Sequence, residues 1–194
     1  MKKKIILIGA GGHSISCIDV IEKTKKYIIV GLIDKKDKKF VKVGKKKYSV
    51  YSEKTFLKKK LCKNILIALG SEKLTKKREY LFNKYKKMNF NFTKIISPLS
   101  YVSKNSFVDE GTIVMHGVII NANVKIGKNC IINTKSLIEH DCIVGDNSSI
   151  ATSATINGNV KIEKNCFIGS KAVLIPSIKL KKNSFIKANQ LIKK

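Results

Sequence analysis

The sequence contains three histidines, and one of them stands between two acidic residues, in Glu139-His140-Asp141. A neutral imidazole can take a proton from an attacking amine or hydroxyl, as acyl transfer from a thioester requires. A neighbouring carboxylate can orient the ring and raise its basicity. We therefore predict that His140 is a general base, with Asp141 or Glu139 as its partner.

The element that positions His140 is indicated by a strict repeat in the second half of the chain. Every sixth residue from Val102 to Ile192 is aliphatic, at sixteen consecutive positions without an insertion. The residue two places earlier is mostly small, and three of the five cysteines occupy this slot. This pattern is the signature of a parallel β-helix, in which each repeat contributes one short strand and one turn. Cys130, Cys142 and Cys166 are therefore predicted to be buried fillers rather than ligands or nucleophiles.

Three repeats close one coil of about 18 residues, so residues that far apart stack on one another. The neighbours of His140 in such a column are Ala122 before it and Gly158 after it, followed by Pro176. Small residues on both sides leave an open notch beside the imidazole, and the N–H group of Gly158 is a candidate donor to an oxyanion. His116 falls on another face and is predicted to be a surface turn residue.

Residues 1–95 alternate apolar strands with helices, which predicts a small Rossmann-like α/β domain with a parallel sheet. The predicted strands are Lys3–Ile8, Tyr27–Ile33 and Asn64–Leu69, and the predicted helices are Ser14–Thr24, Ser52–Leu61 and Glu72–Met88. The lysine-rich segment 35–47 is expected to be a surface loop or ribbon. The β-helix then occupies residues 96–194, and Ser97-Pro98 marks the boundary.

A glycine turn follows the first predicted strand, in Gly9-Ala10-Gly11-Gly12-His13. It opens a helix, whose first N–H groups and dipole can hold a phosphate. Asp34 ends the next strand, where a ribose-binding acid would lie. Ser14 replaces the third glycine of the dinucleotide fingerprint, and the domain has only half of a dinucleotide-binding sheet, which disfavours NAD. A nucleotide site and a merely structural turn both remain compatible with this motif.

The formal net charge is +27 in 194 residues, and Arg78 is the only arginine among the 40 basic residues. Nucleic-acid-binding proteins rely on arginine and on aromatic platforms, whereas this chain has no tryptophan and no aromatic run among its lysines. We therefore expect no nucleic-acid partner. The positive field instead favours anionic small molecules.

The apolar runs and the cysteines bear on location and on metals. No stretch approaches the length that spans a membrane, and the run Ile5–Ile8 is too short for a signal peptide. The five cysteines contain no C-x-x-C pair and no histidine at zinc-like spacing. We expect a cytoplasmic protein without a metal site and without membrane insertion.

The glycine turn Gly9–His13, followed by an uninterrupted hexapeptide domain with Ile-Glu-His-Asp-Cys at 138–142, resembles one bacterial enzyme family. It comprises the sialic acid O-acetyltransferases and the UDP-4-amino-sugar N-acetyltransferases, and the resemblance covers essentially the whole chain. It implies a left-handed β-helix and direct acetyl transfer from acetyl-CoA, as co-substrate, in bacterial surface-polysaccharide biosynthesis. It further implies a homotrimer in which acetyl-CoA lies between neighbouring β-helices.

The resemblance also implies roles for individual residues. His140 matches the catalytic base of the family and Asp141 the partner that raises its basicity. The positions that match sugar-nucleotide contacts are Gly11, Gly12, His13, Asp34 and Gly70. The positions that fall in the acetyl-CoA region are Ser149, Gly158, Gly169, Ser170 and Ala188. The chain departs from the family at Ser149, which replaces a second histidine, and at Ala188, which lies in a segment that replaces a glycine-rich coil.

Two acetyl-transfer functions and one function of a different class are compatible with these features. The leading hypothesis is N-acetylation of a UDP-4-amino-sugar, and its close alternative is O-acetylation of sialic acid or a related sugar. Both use the same base, and nothing in the sequence separates their acceptors. A non-catalytic β-helix scaffold is the third, although it would require neither the notch at His140 nor the glycine-turn domain.

Overall fold

The computed structural model describes residues 2–35, 39–70 and 75–193. The front part of the chain forms an α/β layer in which apolar strands alternate with helices. Its strands β1–β6 are Lys3–Ile8, Tyr27–Ile33, Phe40–Val43, Lys46–Tyr51, Asn64–Ile67 and Asn91–Phe92. Its helices α1–α3 are Gly12–Thr24, Glu53–Lys59 and Thr75–Lys87.

Strand β1 lies near the middle of one six-stranded sheet with the order β3-β4-β2-β1-β5-β6. The pairs are parallel except for β3 with β4. Ile5 and Leu7 pack into a core that includes α1 and the β-helix, whereas Ile6 and Ile8 pack with residues of α2 and α3. Because successive side chains of a strand point to opposite faces, the apolar run at β1 is buried on both sides.

Three details of the front part bear on the sequence-based expectation. Of the surface loop or ribbon expected around residues 35–47, the structure shows the ribbon: β3 and β4 form an antiparallel hairpin, and cross-strand pairs such as Val41 with Tyr48 bury its inner side. Helix α1 begins at Gly12 rather than Ser14. The expected start of the third helix at Glu72 lies outside the described residues. None of the described helices is long and apolar enough to cross a membrane.

The second half is a left-handed β-helix of hexapeptide repeats, as predicted. Its strands β7–β23 are Ile95–Ile96, Tyr101–Val102, Phe107–Val108, Ile113–Val114, Ile119–Ile120, Lys125–Ile126, Ile131–Ile132, Leu137–Ile138, Ile143–Val144, Ser149–Ile150, Thr155–Ile156, Lys161–Ile162, Phe167–Ile168, Val173–Leu174, Lys179–Leu180, Phe185–Ile186 and Leu191–Ile192. They form three parallel sheets, which are the faces of a triangular prism. The first face holds β7, β10, β13, β16, β19 and β22; the second face holds β8, β11, β14, β17, β20 and β23; and the third face holds β9, β12, β15, β18 and β21. The repeat thus begins one unit before Val102, at Ile95–Ile96.

The prism interior is filled by the aliphatic residue of each repeat and by the small residue two places before it. Cys130, Cys142 and Cys166 are fully buried in this small slot and form no disulfide. From Gly111 onward, each corner places a residue in the left-handed region, where asparagine, aspartate and glycine are favoured. Asp141 is one of these residues, with φ of 60°, as are Asn123 and Asn159.

The front domain docks on the first face of the β-helix. The buried Arg78 of α3 joins the two parts, because it donates to the carbonyl oxygens of Ile67 and Leu69 and also to the carbonyl and side-chain oxygens of Asn129. Burial lowers the pKa of Arg78 to about 10, so the guanidinium remains charged at neutral pH. Docking leaves the second and third faces of the prism uncovered by this domain.

Candidate functional site

His140 lies at the corner between the second and third faces, where its ring is both accessible and held. Its Nδ1 atom is 2.8 Å from Oδ2 of Asp141, and 62% of its side chain is exposed. A carboxylate can only accept a hydrogen bond, so the neutral ring carries its proton on Nδ1. The lone pair of Nε2 is then available to take a proton, which is the arrangement of a general base.

Gly158 supports the ring from the next coil. A Cβ atom at this position would lie 2.7 Å from both Cε1 and Nε2 of His140, so a larger residue would displace the imidazole. The column predicted from the repeat is present in the backbone: Asp141 donates to the carbonyl of Ala122, and Asn159 donates to the carbonyl of His140. The notch beside His140 is therefore formed by stacking between coils.

Of the two acidic neighbours of His140 in the sequence, Asp141 contacts the ring and Glu139 is paired with Asn121 instead. Glu139 accepts a hydrogen bond from Asn121 at 2.8 Å, so its predicted role as orienting partner of the ring is not supported by its contacts. Asn123 was not predicted as a site residue, yet it donates to Oδ1 of Asp141 at 3.0 Å. Hydrogen bonds from His140 and Asn123 hold the pKa of Asp141 below its usual value, which keeps the carboxylate ionised at neutral pH. Asn123 and Asp141 are 18 residues apart, which is one coil, and this spacing could have identified Asn123 as a site residue from the sequence.

His116 differs from the prediction of a surface turn residue. Its Nδ1 lies 2.6 Å from Oγ of Ser97, its Nε2 lies 3.1 Å from Oδ2 of Asp19, and only 25% of its side chain is exposed. Asp19 belongs to α1, so His116 bridges the front domain and the β-helix. It is part of the domain contact because α1 covers this corner of the prism.

The glycine turn is shaped by Gly9 and by Asp34. Gly9 has φ of 108°, and a Cβ there would lie 2.5 Å from the side chain of Leu69, so both conformation and space require glycine. Asp34 accepts from the backbone N–H of Ala10 at 2.7 Å and from that of Lys35 at 2.7 Å. This carboxylate therefore holds the turn in place. Gly11 and Gly12 face open space, where a ligand can approach the first N–H groups of α1.

Two further predicted groups meet in one cleft between the front domain and the first face. His13 and Gly70, assigned to the sugar nucleotide, and Ser149 and Ser170, assigned to acetyl-CoA, all line a cavity of about 210 Å³. Burial, with a contribution from Arg78, lowers the pKa of His13 to about 4, so its ring is neutral at neutral pH. Gly169 precedes the cleft residue Ser170 and lies close to the next coil. A Cβ atom on Gly169 would overlap the backbone nitrogen of Ala188.

The structure thus divides the predicted site residues into separate places on one chain. His140 and Gly158 lie at the corner between the second and third faces, whereas the cleft lies at the first face and the adjoining corner with the second. Asp34 lines a cavity of about 400 Å³ at the carboxyl ends of β1 and β2, on the side of α3. Among the described residues, no group of three or more His, Cys, Asp or Glu side chains is placed to hold a metal ion.

The chain combines a small α/β domain with a left-handed β-helix, which carries an accessible histidine at a glycine-lined corner. This combination defines a class of hexapeptide-repeat proteins. Family models agree with this division of the chain. The model of the PglD N-terminal domain matches residues 4–84, that of the bacterial transferase hexapeptide (six repeats) matches 123–158, and that of the hexapeptide repeat of succinyl-transferase matches 159–194. Residues 4–84 are thus similar to a PglD-type N-terminal domain, and residues 123–194 are similar to hexapeptide repeats of bacterial transferases.

Solved structures share the fold over nearly the whole chain. PerB from Caulobacter crescentus, in complex with CoA and GDP-perosamine, is 24% identical with a TM-score of 0.87, over 98% of this chain and 89% of that one. The acetyltransferase domain of PglB from Neisseria gonorrhoeae, in complex with acetyl coenzyme A, is 23% identical with a TM-score of 0.87, over 100% and 92%. WeeI from Acinetobacter baumannii is 22% identical with a TM-score of 0.87, again over 100% and 92%.

Proposed function

We propose that this protein transfers the acetyl group of acetyl-CoA directly to the amine of a UDP-linked 4-amino-sugar, with His140 as the general base. The observation that carries the proposal is the imidazole fixed by Asp141 at Nδ1 and by Gly158 at its face, with Nε2 free to act. The complexes of PerB with CoA and GDP-perosamine and of PglB with acetyl coenzyme A support the two kinds of substrate.

The reaction follows from the chemistry of these groups. Nε2 of His140 takes a proton from the amine while the amine nitrogen forms a bond to the carbonyl carbon of the thioester. The negative charge that develops on the carbonyl oxygen is stabilised by a hydrogen-bond donor, for which we propose the N–H group of Gly158. The carbon–sulfur bond then breaks, the electron pair stays on sulfur, and the thiolate receives the proton from His140.

The two parts of the chain divide the substrates between them in this proposal. The front domain, residues 1–95, binds the nucleotide of the acceptor, with its diphosphate at the N–H groups of Gly11 and Gly12. The β-helix, residues 96–194, binds acetyl-CoA near Gly158, Gly169, Ser170 and Ala188. The net charge of +27 attracts both anionic substrates.

A homotrimer would complete the site. Apart from Thr155, the outward residues of the second face form an apolar stripe that includes Tyr101, Ile119 and Leu191, which are 59%, 44% and 53% exposed. Such a stripe favours burial against other subunits. If the second faces of three copies surround a three-fold axis, the corner of one copy that carries His140 lies beside a corner of the neighbouring copy. That neighbouring corner is the one between the first and second faces, next to the neighbour's cleft. Because this three-fold axis is parallel to the long axes of the prisms, His140 and the neighbour's cleft lie at the same level along it.

The experiment that tests the function measures free thiol released from acetyl-CoA. The acceptors are UDP-4-amino-sugars, other UDP-amino-sugars and sialic acids, because the same base would serve a hydroxyl and thus O-acetylation of a sialic acid. We expect acceptor-dependent thiol release with an amino sugar and an N-acetylated product by mass spectrometry. A folded protein that releases no thiol with any acceptor would instead support a non-catalytic scaffold.

A further inference from the structure

The edge of the front sheet at which its parallel strands begin is a surface that the proposed reaction does not use. Strands β1, β2 and β5 are parallel, so they begin at one edge and end at the other, where the glycine turn Gly9–His13 and Asp34 lie. Helices α1 and α2 connect parallel strands, so each helix runs back and ends at the edge where the strands begin. This edge is therefore opposite to the proposed nucleotide site.

Exposed lysines from three separate places in the sequence meet at this edge. Two are in the first turn of β1, two follow α1, and two lie between α2 and β5. They are Lys3, Lys4, Lys25, Lys26, Lys60 and Lys63. Backbone contacts hold the three places together: Lys3 donates to the carbonyl of Lys26 at 3.1 Å, and the side chain of Asn64 donates to the carbonyl of Lys4 at 2.9 Å. We call these six residues the basic edge.

The carboxylates near the basic edge are engaged by other lysines. Glu22, in the last turn of α1, is bonded to Lys46 at 2.6 Å. Glu110 of the β-helix, beside the end of α3, is bonded to Lys86 and Lys128. Both acids are thus paired with lysines outside the basic edge, which concentrates positive charge on one surface.

Helix stability explains only part of this concentration. A cation near the C-terminus of a helix is stabilised by the helix dipole, which accounts for Lys25 and Lys60, the residues that cap α1 and α2. Sheets have only small net dipoles, so Lys3, Lys4 and Lys63 gain no comparable stabilisation at the starts of strands. Like charges held together repel one another, and an anionic surface would relieve that repulsion.

The side-chain types of the basic edge favour lipid over other polyanions. Protein interfaces are depleted in lysine, and nucleic-acid-binding surfaces rely on arginine and on aromatic platforms. A cluster of about four to eight basic residues is, in contrast, the composition that binds anionic phospholipids. The long lysine stems let several ammonium groups reach headgroup phosphates on one plane.

We propose that the basic edge holds this protein on the surface of membranes that contain anionic phospholipids. The membrane then lies against the starts of the strands, and the opposite edge, with the glycine turn, faces away from the lipid and stays open to substrates. The contact is electrostatic and reversible, because ammonium groups remain hydrated and salt screens their charge.

The first test is co-sedimentation with vesicles of phosphatidylglycerol and phosphatidylcholine, compared with vesicles of phosphatidylcholine alone. We expect binding to the anionic vesicles and none to the zwitterionic ones. Raising the salt concentration from about 0.1 M to about 1 M should abolish binding, because the Debye length falls from about 10 Å to about 3 Å. The measurement needs no substrate, so it is independent of the proposed acetyl transfer.

Two triple variants with the same loss of charge separate the position of the lysines from the net charge. The edge variant is Lys3→Gln/Lys25→Asn/Lys26→Gln, in which asparagine suits the left-handed backbone of Lys25. The control variant is Lys125→Gln/Lys161→Gln/Lys179→Gln, on the third face. Each lysine near an anionic surface contributes roughly 5-fold to affinity, so the edge variant should bind at least about 10-fold more weakly and the control less than about 3-fold more weakly.

Three results would overturn the inference. They are equal binding to both kinds of vesicle, an equal loss of binding in the two variants, and tighter binding to a duplex DNA oligonucleotide than to anionic vesicles at the same salt concentration. The last result would assign the basic edge to a nucleic acid instead. Circular dichroism of both variants checks that each remains folded.

Discussion

At the residue scale, one short hydrogen-bonded series determines what His140 can do. Asn123 donates to Asp141, and Asp141 in turn holds the Nδ1 proton of His140. Asp141 also occupies the left-handed conformation of its corner, with φ of 60°. One residue thus shapes the turn and orients the ring. Asparagine tolerates the same conformation, which makes Asp141→Asn a variant that removes the charge without disturbing the turn.

The residue-scale prediction concerns the base and its partner. General-base catalysis contributes about 10²- to 10⁴-fold to a rate, so His140→Ala should lower kcat by about that factor with little change in the Kd of acetyl-CoA. Asp141→Asn should cause a smaller loss, because it changes only the orientation and basicity of the ring. Steady-state kinetics and isothermal titration calorimetry measure the two effects.

His116→Ala is the matched histidine control. His116 contacts Asp19 and Ser97 at the domain contact and has no role in the proposed chemistry. We expect this variant to lose stability through those contacts while a folded sample retains most of its kcat. Near-normal turnover in His140→Ala together with an inactive, folded His116→Ala would show that the active corner has been misassigned.

At the scale of elements, the turn before α1 depends on a carboxylate from the next strand. Asp34 follows β2 and accepts from the N–H of Ala10, so it couples the ends of two parallel strands at the start of the helix. The sequence suggested a ribose-binding acid at this place. The observed contacts show that Asp34 holds the backbone of the turn, so in the proposed function it would affect nucleotide binding through the position of that backbone.

Asp34→Ala should therefore raise the KM of the sugar nucleotide several-fold, about 3- to 10-fold for the loss of charge-assisted bonds, and leave the KM of acetyl-CoA unchanged. Asp109→Ala is the control, because Asp109 accepts a similar local bond from the N–H of Glu110 in the β-helix. Initial rates with each substrate varied in turn measure both constants. A parallel increase of both KM values in Asp34→Ala would contradict the division of substrates between the two domains.

At the scale of the whole molecule, the three faces of the prism have different surroundings. The front domain covers the part of the first face around Ile113 and Ile131, which are 0% and 3% exposed, and leaves Phe185 at its far end exposed. The third face carries lysines outward at Lys125, Lys161 and Lys179, which separate its two exposed apolar residues Phe107 and Ile143 from a continuous stripe. The second face, in contrast, presents the apolar stripe from Tyr101 to Leu191, so it is the surface best suited to self-association.

We predict a trimer at micromolar concentration, measured by light scattering with size-exclusion chromatography. Ile119→Asp, which places a charge in the apolar stripe, should shift the protein toward smaller species and reduce turnover. Lys125→Asp, one strand further along the chain on the third face, should change neither. A monomer of the unmodified protein with full activity would count decisively against a site shared between subunits.

The sequence by itself determined the β-helix and the His140 column. In this fold each residue contacts its neighbours one repeat or one coil away, so a strict period of six specifies the core, the turns and the stack of His140 on Gly158 without any distant information. The first strand of the repeat, Ile95–Ile96, follows the same period of six. The sequence analysis began the repeat at Val102 instead, because Ser97-Pro98 was taken as the boundary between the two domains.

Only the tertiary structure decided what the docking of the two parts creates. The contact of His116 with Asp19 spans 97 residues and that of Arg78 with Asn129 spans 51, and no periodicity relates these positions. The choice of Asp141 over Glu139 likewise depended on side-chain directions at a corner. The cleft that joins His13 to Ser149 exists because the front domain covers the first face, and packing between two separately patterned domains is not encoded in the pattern of either.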